Sequence, residues 1–309
     1  MGVVEEHIHA FVVVGYMSFL SYLINGISLG SIYAIIALGY TMVYGIARML
    51  NFAHGDIIMV GGFVIFTIVS TMGMPPLLGI LAAVAACTVL GVVIERVAYK
   101  PLRGASSLAV LITAIGVSYL LQNVALLIFG SNARQFTSVV NVPSLKLADG
   151  ALSISGVTMV TIATCLIIMV GLTQFINKTK VGQAMLAVSE DQGAATLMGI
   201  DVNRTIAITF AIGSALAAIA GALLCSTYPS LTPYTGSMPG IKAFVAAVFG
   251  GIGSIPGALI GGVLLGVIEN LSKAYISSQL SDAIVFSVLI VVLLVRPTGI
   301  LGKKIMEKV

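Results

Sequence analysis

Apolar residues run along this chain in long blocks, not in the alternating or one-sided patterns of water-exposed strands and helices. A helix needs about 20 apolar residues to cross about 30 Å of hydrocarbon. Blocks of that kind occupy about residues 17–45, 57–74, 76–98, 107–129, 156–176, 205–228, 241–268 and 276–295. Prolines separate them at Pro75-Pro76, Pro101, Pro143, Pro229 with Pro233, and Pro297, where a helix is broken or ended. The pattern predicts an all-α, polytopic helical membrane protein with about eight transmembrane helices. The first block reaches back to Ala10 and is too long for one span. Asn25-Gly26 is expected to mark where an interfacial N-terminal piece meets the first true span.

One block is not a simple span. Ile241–Ile252 is 12 residues, which at 1.5 Å each gives about 18 Å, too short to cross. Gly250, Gly251, Gly253, Pro256 and Gly257 follow and should break the helix. The expectation is a re-entrant half-helix over about 241–257, shielded by other helices because irregular backbone is not tolerated against lipid. A single kinked span is the alternative. Gly253, Gly257 and Gly261, then Gly262 and Gly266, recur at four-residue spacing, which lets helix backbones approach closely. Tight packing within the chain is expected, and a face shared with a partner subunit is the sharper version.

Composition narrows the class. The chain is 59% hydrophobic and 8% charged, with a mean hydropathy of +1.12, whereas soluble domains are roughly 25% charged. A soluble enzyme, a nucleic-acid binder and a disordered scaffold are excluded. Of the 15 basic residues, ten fall into three groups: Arg96, Lys100 and Arg103; Lys178, Lys180 and Arg204; and Arg296, Lys303, Lys304 and Lys308. Alternating spans put all three groups on one side. By the positive-inside rule that side is cytoplasmic, and the N-terminus and loop 130–155 face outward. Glu5 and Glu6 precede the first block, so no cleavable signal is expected. Cys87, Cys165 and Cys225 each sit alone in an apolar run, which offers neither a disulfide framework nor a metal site. No nucleotide-binding P-loop and no zinc-protease motif occurs, and no cofactor or metal is expected.

Three segments could carry chemistry. Gly26-Ile27-Ser28-Leu29-Gly30 matches a serine-nucleophile pattern, with His54 as a possible base, but the pattern needs a strand-to-helix elbow and here lies in an apolar helix. It reads better as packing. Residues 45–56 set Arg48, Asn51, His54 and Asp56 between two spans, where ionisable groups point to a functional site. Tyr44, Asn51, His54 and Asp56 are the candidates for a substrate pathway, and Asn51 is a candidate cap of the following helix. An ordinary solvated turn is the alternative. In the third segment, Ser189-Glu190-Asp191-Gln192 fits a capping box with Ser189 as N-cap. Glu190 and Asp191 occupy the first turn and Gly199 ends the helix. A helix from Glu190 to Met198, with Ala194, Ala195 and Met198 on one side, is too short to stand alone and needs something to dock against. Glu269 and Lys273 read as an ordinary i,i+4 ion pair, and Lys242 as the marker of the outer end of the half-helix.

The segments GIARMLNFAHGD (45–56), ERVAYKPLRG (95–104), VGQAMLAVSEDQGAATLMGID (181–201), GGIGSIPGALIGG (250–262) and RPTGILG (296–302) resemble the LivH-type permease family. These are membrane subunits of bacterial ABC importers for branched-chain amino acids. The resemblance runs from about Ser18 to the C-terminus. It implies a single permease domain over 17–302, with a coupling loop at 177–204, preceded by an extension (1–16, with Met17 as an alternative start) and followed by a tail (303–309). It also implies a multi-pass protein of the bacterial inner membrane that is not itself an enzyme. Its partners would be a sister permease, two cytoplasmic ATPases and an extracytoplasmic binding protein. Ser189–Ile200, with Glu190, Asp191, Ala194, Ala195, Met198 and Gly199, would contact an ATPase. Urea or short amides remain alternative cargo, and a stand-alone ion-coupled transporter is the rival mechanism, one that would need buried carboxylates near mid-membrane and usually inverted repeats; apart from Asp56 and Glu269, the acids lie in loops, near span ends or in the tail.

Overall fold

The structure is a computed structural model that describes residues 2–147 and 152–302, with side chains from Gly15 onward. The tail residues Lys303, Lys304 and Lys308 lie outside it. Among the described residues the chain forms eleven helices: α1 (Gly2–Ala47), α2 (His54–Ile65), α3 (Pro76–Ile94), α4 (Ser107–Phe129), α5 (Gly156–Lys178), α6 (Lys180–Glu190), α7 (Gln192–Leu197), α8 (Val202–Thr227), α9 (Ser237–Gly250), α10 (Ile255–Tyr275) and α11 (Ser281–Val295). A wider π-type turn, Phe66–Thr71, extends α2, and Glu95–Leu102 extends α3.

Seven helical stretches are long and apolar enough to cross a membrane, beginning at Gly15, His54, Pro76, Ser107, Gly156, Val202 and Ile255. The expected class, a polytopic helical membrane protein, is the class found. The eighth expected span corresponds to α11, whose 15 residues give about 22 Å of helix, less than a full hydrocarbon thickness.

α1 and α10 form the central antiparallel pair. A Cβ added at Gly26 would come 2.9 Å from Val267 Cα, one at Gly30 2.6 Å from Val263 Cα, and one at Gly262 2.5 Å from Ala34 Cα. At Gly266 it would strike the Gly30 backbone. α1 therefore runs unbroken through Asn25-Gly26, contrary to the expected junction there: Gly26 is a contact surface, not a hinge. Gly257 and Gly261 turn to α9 instead, against Gly250 and Ala246. Gly257, Gly261, Gly262 and Gly266 thus serve packing within the chain, whereas Gly253 (φ +91°) has open space where a Cβ would stand. Ser28, between Gly26 and Gly30, is 4% exposed. α8, rich in Ala and Gly, packs against α1, α2 and α3. α3, α4, α5 and α11 are peripheral and turn residues such as Val97, Leu127, Ile167 and Leu294 outward. Cys87, Cys165 and Cys225 are buried.

The described members of the three basic groups share one end of the bundle. Arg48 hydrogen-bonds to the end of α6, Arg103 to Asn203 at the start of α8, and Gly45 lies 3.3 Å from Gly253 by a Cβ built on it. At that same end the backbone N–H groups of Ile300 and Leu301 donate to Phe249 and Gly250 carbonyls. The opposite end is closed by two short antiparallel pairs, β1 (Arg134–Gln135) with β4 (Ser230–Leu231), and β2 (Leu145–Leu147) with β3 (Leu152–Ile154).

The half-helix exists, over Ser237–Gly250, but its path differs from the re-entrant expectation. From β4 the chain enters the bundle in extended and turn conformations, reaches Gly236 beside Gly55, and only there begins α9. α9 then continues to the basic end, where Gly251 (φ +104°) and Gly253 (φ +91°) make the turn and Pro256 sits in the first turn of α10. The glycine break therefore lies at the basic end, not inside, and residues 229–250 pass from one end of the bundle to the other.

Gly266→Ala, which forces a Cβ into the Gly30 backbone, should abolish recovery of monodisperse protein in mild detergent. Gly116→Ala, with open space around it, should leave recovery unchanged. Equal recovery of the two in size-exclusion chromatography would contradict the α1–α10 seam.

Candidate substrate and coupling sites

Two helices begin in the interior. Arg48, at φ +55° the one non-glycine with positive φ among the described residues, reverses the chain after α1. It sends Met49–Ala53 back along the inside, where Asn51, Ala53 and His54 are buried. Tyr99 OH donates to Asn51 Oδ1 at 2.9 Å. Asn51 does not cap α2: the cap position is Ala53, which makes no side-chain cap bond, because the Asn51 oxygen is already taken by Tyr99. The His54 ring stands edge-on to Tyr40 at 4.7 Å and fills the space over Gly39.

The start of α2 meets the start of α9. A Cβ on Gly55 would come 2.6 Å from Gly236 O and 3.2 Å from Gly240 Cα, so only glycines allow the approach. Asp56, 2% exposed, occupies the first turn of α2, where the helix dipole favours a carboxylate. Gln122 Nε2 of α4 donates to Asp56 Oδ1 at 2.9 Å and reaches Ser237 Oγ at 3.3 Å. It therefore spans both helix starts. Beside this junction lies a crevice of about 10 Å³ lined by Tyr40, Tyr44, Met49, Leu50, Asn51, Phe244, Ala247 and Ile252, room for about one water molecule. Asn51 Nδ2 on its wall, and His54 Nε2 beyond Tyr40, are buried without hydrogen-bond partners.

Of the four expected pathway residues, Tyr44 and Asn51 line the crevice, His54 stands behind Tyr40, and Asp56 faces Gln122 and Ser237. Sequence reasoning missed Tyr40, Tyr99, Gln122 and Ser237. Gln122 offered a signal: an amide in the middle of an apolar span needs a partner.

A second polar cluster joins α1, α9, α10 and α11. Glu269, 0% exposed, accepts from Tyr33 OH at 2.9 Å, Lys242 Nζ at 2.8 Å and Lys273 Nζ at 2.5 Å. Lys242 also pairs with Asp282 at 2.7 Å. Glu269–Lys273 is thus not an isolated i,i+4 pair, and Lys242 does not mark an outer helix end: it is buried in the second turn of α9. The i,i+4 spacing could not disclose Lys242, which comes from another helix.

At the basic end, α6 runs to Glu190 and a separate helix, α7, begins after Asp191. Ser189 is not the N-cap: its hydroxyl donates to Leu186 O at 2.7 Å within α6. Asp191 caps instead, its Oδ1 accepting from Ala194 N at 2.9 Å. The amphipathic run of α6 simply continues through Ser189. Gly199 (φ +81°) ends α7, with Ile200 N donating to Ala195 O at 3.0 Å, the Schellman closure. Ala195 is buried, so Ala194, Leu197 (89% exposed) and Met198 (82%) form the outer face. Between this loop and the ends of α1 and α3 is an open cavity of about 620 Å³, lined by Tyr44, Arg48, Arg103, Glu190 and Asp191 among others.

Residues 22–293 match the family model described as the branched-chain amino acid transport system / permease component. The chain belongs to this family. It is 46% identical over 304 residues to the high-affinity branched-chain amino acid transport system permease protein LivH of Salmonella typhimurium, covering 95% of this chain and 99% of that one. Identity to the corresponding permease BraD of Pseudomonas aeruginosa is 45% over 301 residues, 94% and 98% of the two chains. The autoinducer 2 import system permease protein LsrD of Escherichia coli is a more distant relative, 28% identical over 207 residues and 64% of this chain.

For this permease the serine motif has no chemical role to fill. Ser28 is buried within α1, and His54 lies against Gly39, eleven residues further along that helix and so about 16 Å away by helix rise. The buried carboxylate Glu269 is held by three donors, which makes it a brace for α9 and not a free acid.

Removing one member of such a buried cluster leaves the others uncompensated, at a cost on the order of 3–5 kcal/mol. Glu269→Ala should therefore lower the thermal midpoint of the detergent-solubilised permease markedly, and Lys242→Met/Glu269→Leu should recover part of the loss. A double variant no more stable than the single one would show that charge pairing is not what holds α9.

Proposed function

We propose that this permease is the membrane-spanning subunit of an ABC importer that moves leucine, isoleucine or valine into a bacterial cell. Near-full-length identity to LivH and BraD, whose names specify these substrates, carries the reading. The interior junction suits such a cargo. The helix starts at His54 and Ser237 favour a carboxylate, Asp56 favours an ammonium group, and Tyr40, Tyr44, Phe244 and Ile252 would take a branched apolar side chain.

The basic end faces the cytoplasm, in keeping with the positive-inside rule, and the membrane is the inner membrane. Energy comes from two ATPases bound there. The partners are completed by a sister permease and an extracytoplasmic binding protein that delivers the amino acid and sets most of the specificity. α7 is the element that an ATPase grips, through Ala194, Leu197 and Met198; Ala195 faces the permease itself. ATP-driven closure moves α7 and α6 and opens the collapsed crevice to one side of the membrane, then to the other. The ion-coupled alternative is less well supported, since Glu269 already has three partners.

Placing a charge on the gripped face tests this. In the reconstituted complex, Leu197→Asp and Met198→Asp should each lose binding-protein-stimulated ATP hydrolysis and retain less ATPase on the permease, with leucine uptake falling in parallel. Full stimulation and full uptake in both would mean that α7 is not the contact.

A further inference from the structure

We infer that Arg48 is the positioning residue that ties the coupling loop to the substrate segment. Its guanidinium Nη2 lies 3.1 Å from Ser189 O and 3.4 Å from Glu190 O, and donates to these last carbonyls of α6. Such carbonyls lack partners inside their own helix and carry its negative dipole end, so a cation is held well there. The next residue, Asp191, is the cap of α7. On the other side, the Arg48 N–H donates to Tyr44 O at 2.8 Å, closing α1, and its left-handed backbone turns Met49–Ala53 inward to Asn51 and His54. One residue thus holds the end of α6 with its side chain and aims the substrate segment with its backbone.

The other arginine at the cavity behaves differently. The Arg103 guanidinium is engaged by Glu95 and Asn203, which joins the end of α3 to the start of α8 and not to the carbonyls that end α6. Arg48 is therefore the bridge through which displacement of α6 and α7 pulls on residues 48–53. Ordinary residues avoid φ near +55°, and holding one there at the loop's contact gives a segment that shifts as a unit when the contact moves.

The inference rests on α7 being the ATPase contact, and the test separates the two. In the complete importer, unstimulated ATP hydrolysis, binding-protein-stimulated hydrolysis and ATPase retention are measured for Arg48→Gly, Arg48→Asn and Arg48→Lys beside Leu197→Asp. Gly and Asn both accept a positive φ and both remove the guanidinium. They should lower stimulation by about fivefold or more, within the usual range of coupling between sites, with unstimulated hydrolysis and ATPase retention unchanged. Lys, which can donate to one carbonyl as a point charge, should restore part of it. Full stimulation in Arg48→Gly or Arg48→Asn overturns the inference, as does loss of the ATPase subunits from both, which would make Arg48 an assembly residue. Should Leu197→Asp retain full stimulation and its ATPases, the parent reading of α7 fails instead.

Discussion

Backbone N–H and C=O groups cannot be left facing hydrocarbon, and the rest of this fold answers to that constraint. Two helices, α2 and α9, begin inside the bundle, so the irregular segments that lead to them must be wrapped by protein. Within the Met49–Ala53 stretch Asn51 and Ala53 are buried, Asn51 beneath Tyr99, and residues 228–236 lead in beside α2. The glycine pair Gly55–Gly236 brings the two starts together. Gln122 satisfies the polar groups at the junction, and Glu269 holds α9 against α1 and α10 through Lys242. What could have been a weakness becomes the polar site in an otherwise apolar bundle.

The spans were legible because hydrocarbon thickness fixes their length, and the sharing of one end by the basic groups followed from alternation. The coupling loop was legible as a short capped helix, but not its cap. Ser189 and Asp191 both have capping chemistry, and the choice went to Asp191 because α6 extends through Ser189. The start of α9 was not legible at all: Pro229–Gly236, with its Thr, Tyr and Pro residues, reads like a surface loop, and only the approach of Gly55 to Gly236 shows that its far end is internal. Asn51, His54 and Asp56 were singled out by density, whereas their partners Tyr99, Gln122 and Ser237 come from distant parts of the chain. The Glu269–Lys273 pair was legible from spacing, but not Tyr33 and Lys242, which share Glu269, since helical spacing shows only neighbours on one helix.

From the interior to the basic end, Asn51 is followed by the turn at Arg48, and Arg48 bonds the end of α6 just before α7. A movement at that end has a short mechanical route to the substrate segment. The central α1–α10 seam is closed by backbone contact at glycines, which leaves those two helices little room to shift against each other.

The claim most open to direct test is that α9 starts inside the bundle, within the substrate site. A cysteine at Ser237, introduced after replacement of Cys87, Cys165 and Cys225, can be probed with a membrane-impermeant thiol reagent in the reconstituted importer. It should react only while the complex turns over ATP with its binding protein, and the transported amino acid should slow the reaction. Free labelling from outside in the resting complex, indifferent to the amino acid and matching a cysteine at Ser138, would contradict the account.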